Sequence, residues 1–178
     1  MTVTRGSGES QRPAMEDAEG SRRPVLVVGV DGSAAAVAAL EWALEQAQLS
    51  GARVVALAVS EPPPVLAGDL GIVGGVMVPQ LIEDEEMAAV AEQWLTDAIA
   101  ALPVGTVRAV ERHVVHGDAA TVLLDAARDA DLLVLGNHGR GALASAVLGS
   151  VAQRCAHHVV CPLVLIPAPK TSQTAGDS

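Results

Sequence analysis

The stretch "DLLVLGNHGRGALASAVLGSVAQR" at residues 131–154 passes from an apolar run into a glycine-rich turn and then into helical spacing. "LLVLG" has the unbroken apolar composition of a strand buried on both faces. Ser150 followed three residues later by Gln153 fits a capping box, and Val151, Cys155 and Val159 then form one apolar stripe. The expected unit is therefore a strand, a glycine turn in which Gly139 and Gly141 supply backbone geometries closed to other residues, and a helix starting at Ser150. The free N–H groups and dipole of such a helix end favour an anion. At an exposed site the dipole contributes only about 0.3–1 kcal/mol, so further donors are needed beside it. Arg140 is the cation within the turn.

The rest of the chain repeats the alternation. "VLVVGV" (25–30) reads as a buried strand, Asp31, Gly32 and Ser33 punctuate it, and Val37, Leu40, Leu44 and Ala47 mark a helix that ends at Gly51. "RVVALAV" (53–59) is a second strand. The Pro/Gly-rich segment 61–79 reads as a long functional loop. Met87, Val90, Ala91, Trp94, Leu95, Ala98, Ile99 and Leu102 keep helical spacing from about residue 81 to Pro103. "RAVERHVV" (108–115) is polar enough for a sheet edge, Asp118 suits the cap of a helix through 130, and "CPLVLIP" (161–167) closes the series.

Five strands with helices between them predict an α/β fold with a parallel sheet. Ligands in such sheets sit beyond the carboxyl ends of the strands, where strand order reverses. Asp31, the residues after Val59, and Gly136 onward are then the places to look. Residues 1–22 and 169–178 are polar and aperiodic and read as disordered tails around one domain at 23–168.

Composition narrows the function. The chain has 178 residues, is half apolar, and carries a formal net charge of −10. That balance argues against a nucleic-acid partner, which would demand clustered Lys and Arg. Phe and Tyr are absent, and Trp42 and Trp94 are the only aromatics, so base-stacking platforms for single strands are lacking. Two cysteines are too few for a secreted disulfide scaffold. The N-terminus has no apolar core of a signal peptide, and the weakly charged segment 62–82 is broken by prolines, glycines and Asp69. A protein in the cytoplasm with no membrane partner is expected. "CAHHVVC" (155–161) invites a zinc reading, but Cys155 falls on the helix stripe and Cys161 beside Pro162, where buried free cysteines act as small hydrophobes.

Gly136-x2-Gly139-x9-Gly149-Ser150 resembles the nucleotide-binding signature of the universal stress protein family. "VLVVGVDGS", "HGDAATVLLDAARDADLLVLGNHGRG" and "VVCPLVLIP" extend the resemblance over about residues 24–167. It implies an adenine-nucleotide fold, Rossmann-like, with helices on both faces of a sheet ordered 3-2-1-4-5. It also implies a homodimer, here through the last strand, Leu163 to Ile166. Carried over by position, Asp31 would face the ribose or a phosphate-bound Mg²⁺, and Gly29 would permit close approach. Val59 would contact adenine, with Leu135 and Gly136 lining the same pocket. Gly139, Arg140, Gly149, Ser150 and Val151 would hold the phosphates of ATP.

These groups make a binding kit. Phosphoryl transfer also asks for metal ligands and a base that orients the nucleophile, and no Walker-type Gly-Lys-Ser run occurs. An ATP-binding regulatory protein of stress response, not an enzyme, is the leading expectation. A dimeric interaction module with incidental nucleotide, built on "PLVLIP", and a slow ATP-hydrolysing or self-phosphorylating enzyme are the rivals.

Overall fold

The computed structural model describes residues 22–61, 70–73, 76–79, 84–103, 110–139 and 148–169. The elements run β1 (Val25–Val30), α1 (Ala34–Ser50), β2 (Arg53–Ser60), β3 (Leu70–Val73), β4 (Val76–Pro79), α2 (Asp84–Ala100), β5 (Val110–His116), α3 (Ala119–Ala126), β6 (Leu132–Gly136), α4 (Ser150–His158) and β7 (Leu163–Ile166). A five-stranded sheet has the order β5-β2-β1-β6-β7, and every neighbouring pair is parallel. Counted over these five strands the order is 3-2-1-4-5.

Alternating side chains divide the core into two layers. Leu26, Val28, Val54, Ala56 and Val134 pack under α1 and α2 on one face, with Leu40, Leu44, Leu95 and Ile99. Val25, Val27, Leu57, Leu133 and Leu135 pack against α3 and α4 on the other, with Leu123 and Cys155. The chain adds β2 and β5 on one side of β1, then crosses over to add β6 and β7 on the opposite side. The reversal falls between β1 and β6, and in such sheets ligands bind beyond the carboxyl ends of the strands there.

Local chemistry accounts for the element ends. Ser33 caps α1, its hydroxyl accepting the Ala36 N–H at 3.1 Å. Gly51, at φ 71°, closes the same helix by donating its N–H to the Ala47 carbonyl at 2.9 Å. Asp118 caps α3 by accepting the Thr121 N–H at 2.9 Å. The polar β5 is an edge strand, and β7 is the other edge, with all four of its residues partly exposed.

Three sequence expectations need correction. The segment expected as a plain loop contains the antiparallel pair β3–β4, with Leu70 opposite Pro79 and Val73 opposite Val76. Val90, assigned to the apolar stripe of α2, is 40% exposed. The capping box at Ser150 does not form. Gly149 is the N-cap of α4, without any side-chain cap hydrogen bond, and Ser150 is the first helical residue. The proposed tails lie outside the described residues, apart from Arg22, which pairs with Asp131 at 3.0 Å, and Pro169.

Candidate functional site

A cleft of about 430 Å³ opens at the carboxyl end of the sheet. That volume lies within the range of about 300–1,000 Å³ typical of small-molecule sites. Its lining includes Gly29, Asp31, Val59, Leu135, Gly136, Gly139, Gly149, Ser150 and Val151. Every described residue assigned to the ligand from the sequence is therefore at one cleft. Arg140 and Gly141 lie outside the described residues.

Two segments close on each other around it. Asp31 leaves β1 in a turn where its Oδ1 accepts the Ser33 N–H at 3.0 Å. Its Oδ2 faces Gly139, 2.8 Å from the point where a Cβ on that glycine would sit. One carboxylate oxygen thus shapes the start of α1, and the other borders the glycine segment. Gly149 in turn donates its N–H to the Asn137 carbonyl at 2.9 Å, and a Cβ there would stand 3.3 Å from the Gly139 nitrogen.

Gly139 was expected for its backbone freedom, and the structure gives a different reason. Positive φ among the described glycines occurs at Gly32, Gly51 and Gly117. Gly139 and Gly149 are needed for space, because a side chain at either would fill the gap between the segments. Gly29 and Gly136 are also small for packing reasons. A Cβ on Gly29 would come 2.6 Å from Leu135 Cδ2, and one on Gly136 would meet Ala35 Cβ at 2.8 Å.

The helix end that enters the cleft is bare. The Gln153 N–H donates to the Gly149 carbonyl at 2.8 Å, while the N–H groups of Ser150, Val151 and Ala152 come before the first turn closes. With glycine at the cap, no cap side chain takes up these donors. Ser150 and Val151 both line the cleft, and the missing capping box leaves the Ser150 hydroxyl outside the helix cap.

The lining also holds residues that were not singled out as ligand contacts. Met87 and Trp94, seven apart on α2, form a wall, and Leu57 and Leu123 extend the apolar floor. Trp94 packs on the Asp31–Ser33 turn, where a Cβ on Gly32 would be 2.7 Å from its Cδ1. His138 is part of the lining, as is Glu61. Glu61 follows β2 directly, so its place at a strand's carboxyl end was the available signal.

Beside Glu61 lies a charged cluster. Its Oε1 accepts the Ala119 N–H at 3.0 Å, at the start of α3. Arg154 of α4 pairs with Asp118 at 2.8 Å. The Arg154 guanidinium, then the Thr121 hydroxyl and N–H, hold the Asp118 carboxyl well below the usual carboxylate range. The same pairing raises Arg154. Burial pushes the Cys155 thiol up, and the residue is a fully buried part of the core between α4 and the sheet. Among the described residues no group of three His, Cys, Asp or Glu could hold a metal ion, and no helix is long and apolar enough to cross a membrane.

Fold and cleft together define a Rossmann-like α/β protein with its pocket at the β1–β6 switch point. The universal stress protein family matches residues 23–167, and the chain belongs to that family. A universal stress protein of Mycobacterium bovis, Mb2019, is 33% identical over 153 residues, covering 80% of this chain and 47% of the relative. One from Mycolicibacterium smegmatis is 34% identical over 149 residues, covering 84% and 47%. The chain spans about half the length of these curated relatives. A universal stress protein family structure from Burkholderia pseudomallei is 30% identical with a TM-score of 0.58, over 84% of this chain and 99% of that one. A universal stress protein from Archaeoglobus fulgidus in complex with dAMP is 24% identical, with a TM-score of 0.53 over 82% and 98%. Another, in complex with cAMP, is 23% identical, with a TM-score of 0.51 over 84% and 100%.

Proposed function

We propose that this chain binds an adenine nucleotide, ATP with Mg²⁺, in the cleft and acts as a nucleotide-dependent regulatory protein of stress response in the cytoplasm. The observation that carries this is the uncapped N-terminus of α4, which opens into the cleft beside two glycines whose missing side chains leave room for an anion. The family's structures in complex with dAMP and cAMP support an adenine nucleotide as the ligand class.

The residues fit the ligand. Phosphates would accept hydrogen bonds from the Ser150, Val151 and Ala152 N–H groups and from the Ser150 hydroxyl. Asp31 Oδ2 offers one hard oxygen for Mg²⁺, which takes few protein carboxylates and completes its shell with phosphate and water. Bound Mg²⁺ would offset the repulsion between this carboxylate and a phosphate chain. Val59, Leu57, Leu135 and Leu123 provide the apolar surface for the base.

Binding, not turnover, is the proposed role, because these groups hold phosphate and none is poised by a partner to orient a nucleophile. The chain would pair with a second copy through β7. That sheet edge has four partly exposed apolar residues and continues from Val160, which is 75% exposed. The same edge supports a second reading, a dimeric interaction module in which nucleotide is incidental.

The test is to denature the purified protein in acid and chromatograph the supernatant, then to add Mg-ATP to nucleotide-free protein. Adenine nucleotide in the extract and a raised melting temperature are expected. A ligand at ~100 times its Kd adds about 2.7 kcal/mol. An empty extract and an unmoved melting temperature would refute the proposal.

A further inference from the structure

The proposed ligand contacts on the β6 side of β1 are mostly backbone groups, and they recognise phosphate. Nothing among them distinguishes one base from another. The cleft has a second end, on the β2 side, and it carries a carboxylate. Of the ionisable or hydroxyl side chains in the described lining, Asp31, His138 and Ser150 gather around Gly139 and Gly149, whereas Glu61 stands apart just beyond Val59.

Glu61 is also held in place. Its Oε1 accepts the Ala119 N–H at 3.0 Å, so α3 anchors one oxygen of the carboxylate. Arg154, close enough for the Glu61 charge to act on it, is instead paired with Asp118 at 2.8 Å. A carboxylate of this kind can only accept hydrogen bonds. It attracts a ligand edge bearing N–H donors and repels one bearing a carbonyl oxygen.

We propose that Glu61 is a specificity-determining residue, selecting a base with an exocyclic amine, as in adenine, over one with a carbonyl at the same position. This rests on the nucleotide-binding reading and its orientation, with phosphates at α4 and the base toward β2. The amine donates to the free carboxylate oxygen, while a 6-oxo purine presents a lone pair to it. With Oε1 held by the Ala119 N–H, the carboxylate offers one hydrogen bond to the base, and the discrimination expected of it is about tenfold, ~1.4 kcal/mol.

The experiment compares Kd for Mg-ATP and Mg-ITP by calorimetry in the wild-type protein, E61Q and E61A. The two nucleotides share ribose and triphosphate and differ only in the base. Wild type should prefer ATP by about tenfold. E61Q keeps an oxygen for the Ala119 N–H and gains an amide donor for the 6-oxo group. Its preference should collapse mainly through tighter ITP binding. In E61A it should collapse through weaker ATP binding. An ATP preference retained in both variants, or absent from wild type, overturns the role of Glu61 and leaves the nucleotide site standing. The first of these results would also follow if Glu61 contacts the ribose diol, present in both ligands. Failure of both nucleotides to bind wild type overturns the site and the specificity together.

Discussion

Asp31 Oδ2 lies 2.8 Å from the position a Cβ of Gly139 would occupy. This contact joins the exit of β1 to the loop that leads into α4, across the break in strand order. The same aspartate is fixed through its other oxygen by the Ser33 N–H. A side chain at 139 therefore cannot be accommodated unless Asp31 Oδ2 shifts from its present position.

Replacing Gly139 with Ala should weaken Mg-ATP binding by about tenfold or more, the equivalent of ~1.4 kcal/mol. Gly139 is exposed and its φ is not positive, so the folded protein should lose no more than about 0.5 kcal/mol. Calorimetry for binding and urea unfolding for stability separate the two effects. A large stability loss with unchanged affinity would show that the glycine serves folding alone.

Gly136→Ala should behave in the opposite way. Its Cβ would meet Ala35 Cβ at 2.8 Å and the backbone at Ala35 C and Ala36 N at 3.1 Å. Backbone cannot swing aside as a flexible side chain can, so α1 must shift. A stability loss of about 1–3 kcal/mol is expected from overpacking. It is measured by urea unfolding of the ligand-free protein.

Trp94 should report the ligand. It is half-buried, lines the cleft and packs against Gly32, whereas Trp42 is a core-packing residue of α1. In a Trp42→Phe background the remaining emission should change saturably with Mg-ATP. A flat titration under conditions where calorimetry shows binding would place the ligand away from the α2 wall.

The Asp118–Arg154 pair predicts a pH dependence. The folded-state pKa of Asp118 is depressed, so its contribution is full above the unfolded value of about 3.9 and is lost as pH falls through the folded value. The stability difference between wild type and Asp118→Asn should be constant above about pH 5 and shrink below about pH 4. Urea midpoints across that range check it. A difference that grows toward acid would contradict the sign. Both side chains are largely exposed, so a small effect is expected.

The alternation of apolar runs with helical spacing made the five main strands and four helices readable, because the runs of β1, β2 and β6 are largely buried on both faces, those of β5 and β7 lie at the sheet edges, and each helix covers the sheet with one face. What stayed hidden depends on tertiary contact. "LGIV" and "VMVP" are too short to show a period, and β3 and β4 exist only as partners of each other. Trp94 has the spacing of a core residue. Periodicity identifies the face of α2 but not how that face also borders the cleft. At Ser150 the local capping pattern lost to the chain path, since the Gly149 N–H is tied to Asn137 and puts the cap one residue earlier.

The glycine signature pointed to the segment that lines the cleft, but the reason for its glycines was not legible. Backbone freedom and lack of bulk leave the same letter in a sequence. Only the distance from Gly139 to Asp31 shows that lack of bulk matters there.

The most direct measurement is the amide spectrum of ¹⁵N-labelled, nucleotide-free protein during titration with Mg-ATP. The N–H signals of Gly139, Ser150, Val151 and Ala152 should shift together and saturate at one common Kd, as phosphate oxygens accept their hydrogen bonds. If the nucleotide binds while these four signals stay where they were, the phosphate site is not at the start of α4.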